Sequence, residues 1–375
     1  MKRGPSIAAC LAVALALAVL VSTPVLAQGD PESWRQAAGR RDWSFPADHG
    51  SHPEFQTEWW YYTGNLTTEE GRDLGYQLTF FRTGLTRSAA LPGSRWSVRD
   101  LYLAHFALTD DATGRFHWKE RASREGPDLA GAARGGLSVW LWDWKAAAVD
   151  GGFLLQARDD GMALDLTLTP LKPPALHGDG GLSAKGPRPG QASWYASMTD
   201  LATVGTVTLP GQGPVRVTGR SWFDHEFGSN QLDEEQEGWD WFGLHLSDGT
   251  ELMVYLLRRT DGSLEPASSG TLVAADGSWE HLSLDQFQVR PTGRWKSPQS
   301  GGTYPSGWTI RVPKAGLALT VTPLVPDQEL TTEVTGGITY WEGAVRLEGS
   351  SGGRAVTGAG YVELTGYAEG MGGKF

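Results

Sequence analysis

Apolar and polar residues alternate with a period of two along most of this 375-residue chain. The pattern renews about every ten residues and breaks each time at Gly, Asp or Pro. Segments 59–66, 74–82, 99–109, 115–121, 136–144, 153–158, 162–169, 193–197, 203–208 and 215–223 carry it in the first part of the chain. A second set follows at 239–246, 251–259, 271–275, 280–289, 307–312, 317–323, 338–347 and 355–366. Helical periodicity is almost absent, so the pattern predicts an all-β protein of antiparallel strands. That is too many strands for one small barrel. With 50 Gly and 21 Pro the chain is also equipped to turn often. The Pro/Gly-rich stretch 172–190 reads as a long loop, either a flap or an insertion.

A weak internal repeat points to two lobes. Glu58-Trp59-Trp60-Tyr61-Tyr62, a polar turn and the strand 74–82 resemble Glu237-Gly238-Trp239-Asp240-Trp241-Phe242, the turn Ser247-Asp248-Gly249-Thr250 and the strand 251–259. Both read as aromatic-rich hairpins. The acidic run Asp233-Glu234-Glu235 lies just before the second copy and reads as a solvated turn at the junction. Three segments are therefore expected: a leader at 1–27, an N-terminal lobe at 28–232 and a C-terminal lobe at 233–375.

Lys2 and Arg3 precede an apolar run from Ile7 to Val21, and Val25-Leu26-Ala27 ends with small residues where a signal peptidase reads, so cleavage is expected after Ala27. A periplasmic or secreted protein follows. Cys10, the single cysteine, falls inside this leader, so the mature chain has no disulfide, thiol nucleophile or Cys-ligated metal. Net charge is −11, and −13 once Lys2 and Arg3 are removed, which speaks against a nucleic-acid partner. Seventeen Trp suggest an aromatic-lined cavity.

The strings EWWYYTGNL at 58–66, LAHFALTD at 103–110, SWFDHEFGSN at 221–230, GWDWFGLHLSDGTELMVYLLRR at 238–259 and GYVELTGY at 360–367 resemble the hydroxyneurosporene synthase, or carotenoid 1,2-hydratase, family, also called AttH-like. The resemblance covers nearly the whole mature chain. It implies two lipocalin-like antiparallel β-barrel lobes in tandem. It also implies either cofactor-free addition of water to a terminal carotenoid double bond, or an exported binding protein accessory to an ABC-type export system. Fold alone does not choose between these.

Hydrating an unactivated alkene needs a strong proton donor, a wall that stabilises a carbocation and a positioned water. A carboxylic acid kept protonated by burial can be the donor, and aromatic faces can be the wall. Asp224 and Glu226 share one face of an extended segment, with His225 on the other beside Phe223 and Phe227. Asp224 is thus the candidate donor, Glu226 or Glu58 the water-positioning group, and His225 the residue that tunes them. Asp224 and His225 could instead hold the lobe junction by hydrogen bonds. Glu58 could be an edge-strand charge rather than a group at a cavity mouth. The cluster Asp48-His49-Gly50-Ser51-His52 matches no metal motif and reads as a turn closing a barrel end, so neither metal nor cofactor is expected.

For ligand contact the candidates are Trp59, Trp60, Tyr62, Trp222, Trp239 and Trp241, together with Trp140 and Trp142, which with Trp144 fall on one face of 136–144. His105 joins them, although a satisfied core histidine is the simpler account, and His245 reads the same way. The expected partner is an apolar small molecule: a carotenoid, another isoprenoid or a lipid. A membrane export complex is the expected macromolecular partner.

Overall fold

The computed structural model describes residues 33–87, 98–230 and 232–371; the leader at 1–27 lies outside the described residues. Twenty-five strands and three single-turn 3-10 segments make up the regular structure, and no α-helix occurs among the described residues. The fold is all-β and lipocalin-like in two lobes.

The first lobe is an antiparallel sheet of thirteen strands. Its path runs from Arg115–Arg124 through Asp100–Asp110, Asp73–Gly84, Thr57–Thr68, Val215–Asn230, Ala192–Thr208, Met162–Pro170, Gly152–Asp159, Trp144–Val149 and Ser138–Leu141 to Ala130–Ala132. Ser138–Leu141 packs back against three strands at the other end, so the sheet nearly closes on itself. The second lobe is a half-barrel of ten strands centred on Gln236–Leu246, Arg354–Thr365 and Thr339–Ser351. The two aromatic hairpins occupy equivalent places. In each lobe the first strand pairs with the second and also with the last, Thr57–Thr68 with Val215–Asn230 and Gln236–Leu246 with Arg354–Thr365.

Strand alternation divides the aromatic residues between two environments. Trp60, Tyr62, Phe80, Phe106 and Phe223 point into the first lobe and fill its core. Phe242, Trp308, Trp341 and Val362 do the same in the second. The opposite faces carry Tyr61, Tyr195, Trp222, Trp241, Tyr255 and Tyr361, which form a third apolar cluster where the lobes meet. Gly75 lies on this seam. A Cβ there would come 2.5 Å from the Ala344 Cβ, so only glycine lets the two sheets approach this closely.

Four expectations need correction. Segment 280–289 is two strands, Trp279–Ser283 and Gln288–Pro291, separated by the 3-10 turn Leu284–Gln286 and paired to different neighbours. Segment 136–144 is not one strand: Leu141 pairs with Trp144, so Trp142 and Asp143 form a two-residue turn, with Trp142 at φ +55° and half exposed. The supposed stripe of Trp140, Trp142 and Trp144 is therefore split across a hairpin. Segments 193–197 and 203–208 belong to one long strand, Ala192–Thr208, whose register shifts between Met198 and Leu201. The loop 172–190 contains two short strands, Ala175–Leu176 and Leu182–Ala184, both paired to that long strand.

Candidate functional site

A partly open cavity lies between the lobes, on the outer face of the first barrel rather than inside it. Both lobes build it. Trp59 and Tyr61 come from Thr57–Thr68, Phe81 from Asp73–Gly84, and Asp224 and Glu226 from Val215–Asn230. The second lobe supplies Trp239 and Trp241, Tyr255, Tyr340 and Glu363. Trp59, Phe81, Trp239 and Glu363 are only half-buried on strands that are otherwise buried, because their side chains face this space.

Asp224 is almost wholly buried. Its carboxyl accepts hydrogen bonds from the Tyr195 hydroxyl at 2.6 Å, the Trp222 Nε1–H at 2.5 Å and the Ser197 hydroxyl. Burial pushes its pKa up to about 7, against the pull of those three donors and with help from the Glu226 charge. A carboxyl so poised exchanges its proton near neutrality, as a general acid or base requires. Glu226 is paired with the Lys185 ammonium at 2.9 Å and accepts from the Ser193 hydroxyl. Lys185 also lies 4.3 Å from the Tyr255 ring centroid.

Facing them from the second lobe, Glu363 has its pKa raised to about 7, by burial first and then by the charges of Asp224 and Glu226. Glu342 stands directly opposite Glu363 on the neighbouring strand. It is fully buried and accepts from the Tyr61 hydroxyl at 2.7 Å, and burial together with Glu363 holds its pKa well above the carboxylate range. His105 contacts the Tyr340 and Thr335 hydroxyls, each at 2.7 Å, and burial lowers its pKa to about 4, so it is neutral.

A second polar cluster lies on the inner face of the first lobe. Glu58 is wholly buried, and it also borders the cavity beside Arg82. Its carboxylate meets His52 Nδ1 at 2.9 Å, His225 Nε2 at 3.0 Å, the Ser51 hydroxyl at 3.0 Å and the Arg82 Nε–H at 3.1 Å. Burial opposes its ionisation, but the hydrogen bonds from His225 and His52 and the Arg82 charge outweigh it and hold its pKa well below the usual value. His225 Nδ1 donates to the Asp48 carbonyl at 2.9 Å, and its ring stacks on Trp60.

The nitrogens of His52 and His225 and a Glu58 oxygen lie within 4.8 Å of one another, a spacing that could hold a cation. Two guanidinium groups argue otherwise. Arg82 is on the Glu58 carboxylate and Arg41 Nη2 is 2.9 Å from His52 Nε2, so two positive charges already stand beside the atoms a cation would need, although the Asp48 carboxylate, 3.2 Å from His52 Nε2, could accept that imidazole's N–H. The donor set suits a hydrogen-bonded ion cluster better than a metal centre.

Of the residues singled out by sequence, the cavity collects Asp224, Glu226, Glu58, Trp59, Trp239, Trp241 and His105, with Trp222 directly behind Asp224. Strand alternation puts His225, Trp60 and Tyr62 on the far side of the same strands, together with the partners of the Glu58 carboxylate; the Trp60 Nε1–H is bonded to the His49 carbonyl, and Tyr62 is stacked 4.2 Å from Phe223. Trp140 and Trp142 lie outside the cavity, Trp142 against Arg121. His245 donates to the Thr199 carbonyl at 2.7 Å. Sequence reasoning missed Lys185, Tyr195, Tyr255, Glu342 and Glu363. A signal existed for Glu363, the lone acid on an apolar strand and two residues from Tyr361. Lys185 had none, since it lies inside the Pro/Gly-rich stretch 172–190.

The family model described as AttH-like matches residues 36–367. A crystal structure of a protein described as an AttH, from Nitrosomonas europaea, is 35% identical, with 89% of this chain and 99% of that one covered and a TM-score of 0.79. Kievitone hydratase from Nectria haematococca has the same fold at 16% identity, with 91% and 97% covered and a TM-score of 0.65. No curated protein matches the chain.

Proposed function

The chain belongs to the AttH-like family, and from that membership we propose that the cavity between its lobes binds an elongated apolar molecule, an isoprenoid or a lipid, and adds water to one of its double bonds. The observation that carries this reading is Asp224, a buried carboxyl with its pKa near 7 on a cavity walled by aromatic rings. Protonated Asp224 gives its proton to the less substituted alkene carbon, leaving a tertiary cation beside the rings of Trp59, Trp239 and Trp241. Water adds to the cation and loses a proton to the Glu363 carboxylate, and proton exchange between the two carboxyls resets the site. No cofactor takes part. A carotenoid 1,2-hydratase would be the narrowest form of this reading, and the name of kievitone hydratase adds support for hydration on this fold.

A carrier that performs no chemistry is the second reading. It would need the aromatic walls but not buried acids, whose desolvation is unfavourable without a compensating role. Native mass spectrometry of mature protein from its own host, followed by incubation of the extracted ligand in isotopically labelled water, tests both. A bound isoprenoid or lipid that gains labelled water supports hydration. A bound ligand that never gains it supports the carrier and overturns the chemistry. The leader at 1–27 supports a separate proposal, export to the periplasm or beyond and work beside a membrane export complex. Full-length precursor retained uncleaved in the cytosol would sink it.

A further inference from the structure

Acidic groups around the cavity outnumber the basic groups free to meet them. Carboxyls of Asp224, Glu226 and Glu363 line it, and Glu342 lies opposite Glu363 on the same face of its strand as Tyr340, which also lines the cavity. One Glu342 oxygen takes the Tyr61 hydroxyl, while the other is buried with no partner. The Lys185 ammonium is committed to Glu226. Arg82 borders the space, but its guanidinium is held by Glu58 at 3.1 Å and Asp100 at 2.9 Å. Asp224, Glu342 and Glu363 are thus left without a basic partner; burial favours their neutral forms, and a cation bound beside them would favour their ionisation.

The rings of Trp59, Tyr61, Phe81, Trp239, Trp241 and Tyr255 line the same space. Aromatic faces attract positive charge, more so when water is excluded, and rings together with acids are the chemistry that recognises organic ammonium groups. We infer that the cavity selects positive charge on an apolar ligand, taking an organic cation or a molecule that becomes one while bound. The inference rests on the cavity being the ligand site and adds the charge of what it holds. If the site hydrates alkenes, the cation is the transient carbocation and a quaternary ammonium of similar shape is its stable mimic, bound more tightly than the neutral compound. If the site only carries its ligand, the ligand itself bears the charge.

Benzyltrimethylammonium and neopentylbenzene have nearly the same shape and differ in charge. Their binding to the mature full-length protein is measured by calorimetry and by tryptophan fluorescence. The cation is expected to bind about tenfold tighter or better, a difference of ~1.4 kcal/mol. Glu363→Gln should remove most of that preference, and Glu342→Gln part of it, read as the ratio of the two affinities in each variant. Equal affinities, or a preference for the neutral compound, overturn the charge inference and leave the apolar ligand site standing. Cation binding that both variants leave unchanged lies elsewhere and overturns it as well. Binding of neither probe overturns both the inference and the cavity reading.

Discussion

At the scale of single residues, adjacent positions on one strand serve opposite purposes. Asp224 and His225 are sequence neighbours, yet the first faces the cavity and the second is locked to Glu58 inside the barrel. Their acids respond to pH in opposite senses. The native state keeps a proton on Asp224 between its ordinary value of 3.8 and about 7. Its contribution to stability therefore declines as pH rises through that window and is level above it. Asp224→Asn should make the decline of stability with pH shallower by the share of one group, as read by chemical denaturation across the window, while Glu363 and Glu342 keep the rest. It should also lower the hydration rate by roughly 10²- to 10⁴-fold, since the proton donor is lost. In the unaltered protein the rate should fall as pH rises past about 7. Glu58 has its pKa depressed, so its contribution is present above the ordinary value of 4.5 and lost as pH falls well below it. Glu58→Gln leaves Arg82 and His225 facing a neutral amide in a buried site and should cost about 3–5 kcal/mol of stability. A variant as stable as the parent in a denaturant titration would refute the ion-cluster account.

At the scale of elements, alternation in the sequence located most strands, but it could not say which apolar face looked where. In Thr57–Thr68 both faces are aromatic: Trp60 and Tyr62 on one, Trp59 and Tyr61 on the other. Only the second lobe, packed against the outside of the first, distinguishes core from cavity, and that contact has no trace in local pattern. The turn at Trp142 was hidden for a different reason. A position with φ +55° usually carries Gly or Asn, whereas here a Trp interrupts nothing in the alternation of 139–144. Its half-exposed ring rests on Arg121, so Trp142→Asn should change stability by less than about 0.5 kcal/mol in either direction, measured by thermal melting. Gly75 should behave otherwise. Gly75→Val drives a side chain into Ala344 and the Tyr361 hydroxyl, and a loss of about 1–3 kcal/mol is expected, with reduced ligand affinity as the lobes part. Unchanged affinity in that variant would mean that lobe spacing does not shape the site.

At the scale of the molecule, the two lobes are bound by more than their short connection. Lys172 reaches Glu251 at 2.7 Å, His177 contacts the Thr271 hydroxyl at 2.7 Å, and Arg346 holds Asp73 at 2.8 Å and Asp111 at 2.6 Å. The Glu120 carboxylate accepts the backbone N–H groups of Glu333, Val334 and Thr335. With the apolar seam, these contacts predict one cooperative unfolding transition for the whole chain. The first lobe alone, residues 28–232, should expose Tyr61, Tyr195 and Trp222 and self-associate, as light scattering would detect. A monomeric, dye-silent first lobe would show that the seam is dispensable.

The pairing of each lobe's first strand with its last bears on how the chain is made. Thr57 meets Gly228 across 171 positions of sequence. A chain emerging end-first, from a ribosome or through a membrane pore, presents its aromatic N-terminal hairpin long before the strand that closes it appears. During that interval one sheet edge stays open and sticky, and contact order this high makes closure slow. Synthesis of the first lobe is thus a race between arrival of Val215–Asn230 and capture of that edge by another strand. A holding chaperone or an unbroken pace of emergence would matter more to the yield of this protein than the final strength of any single contact.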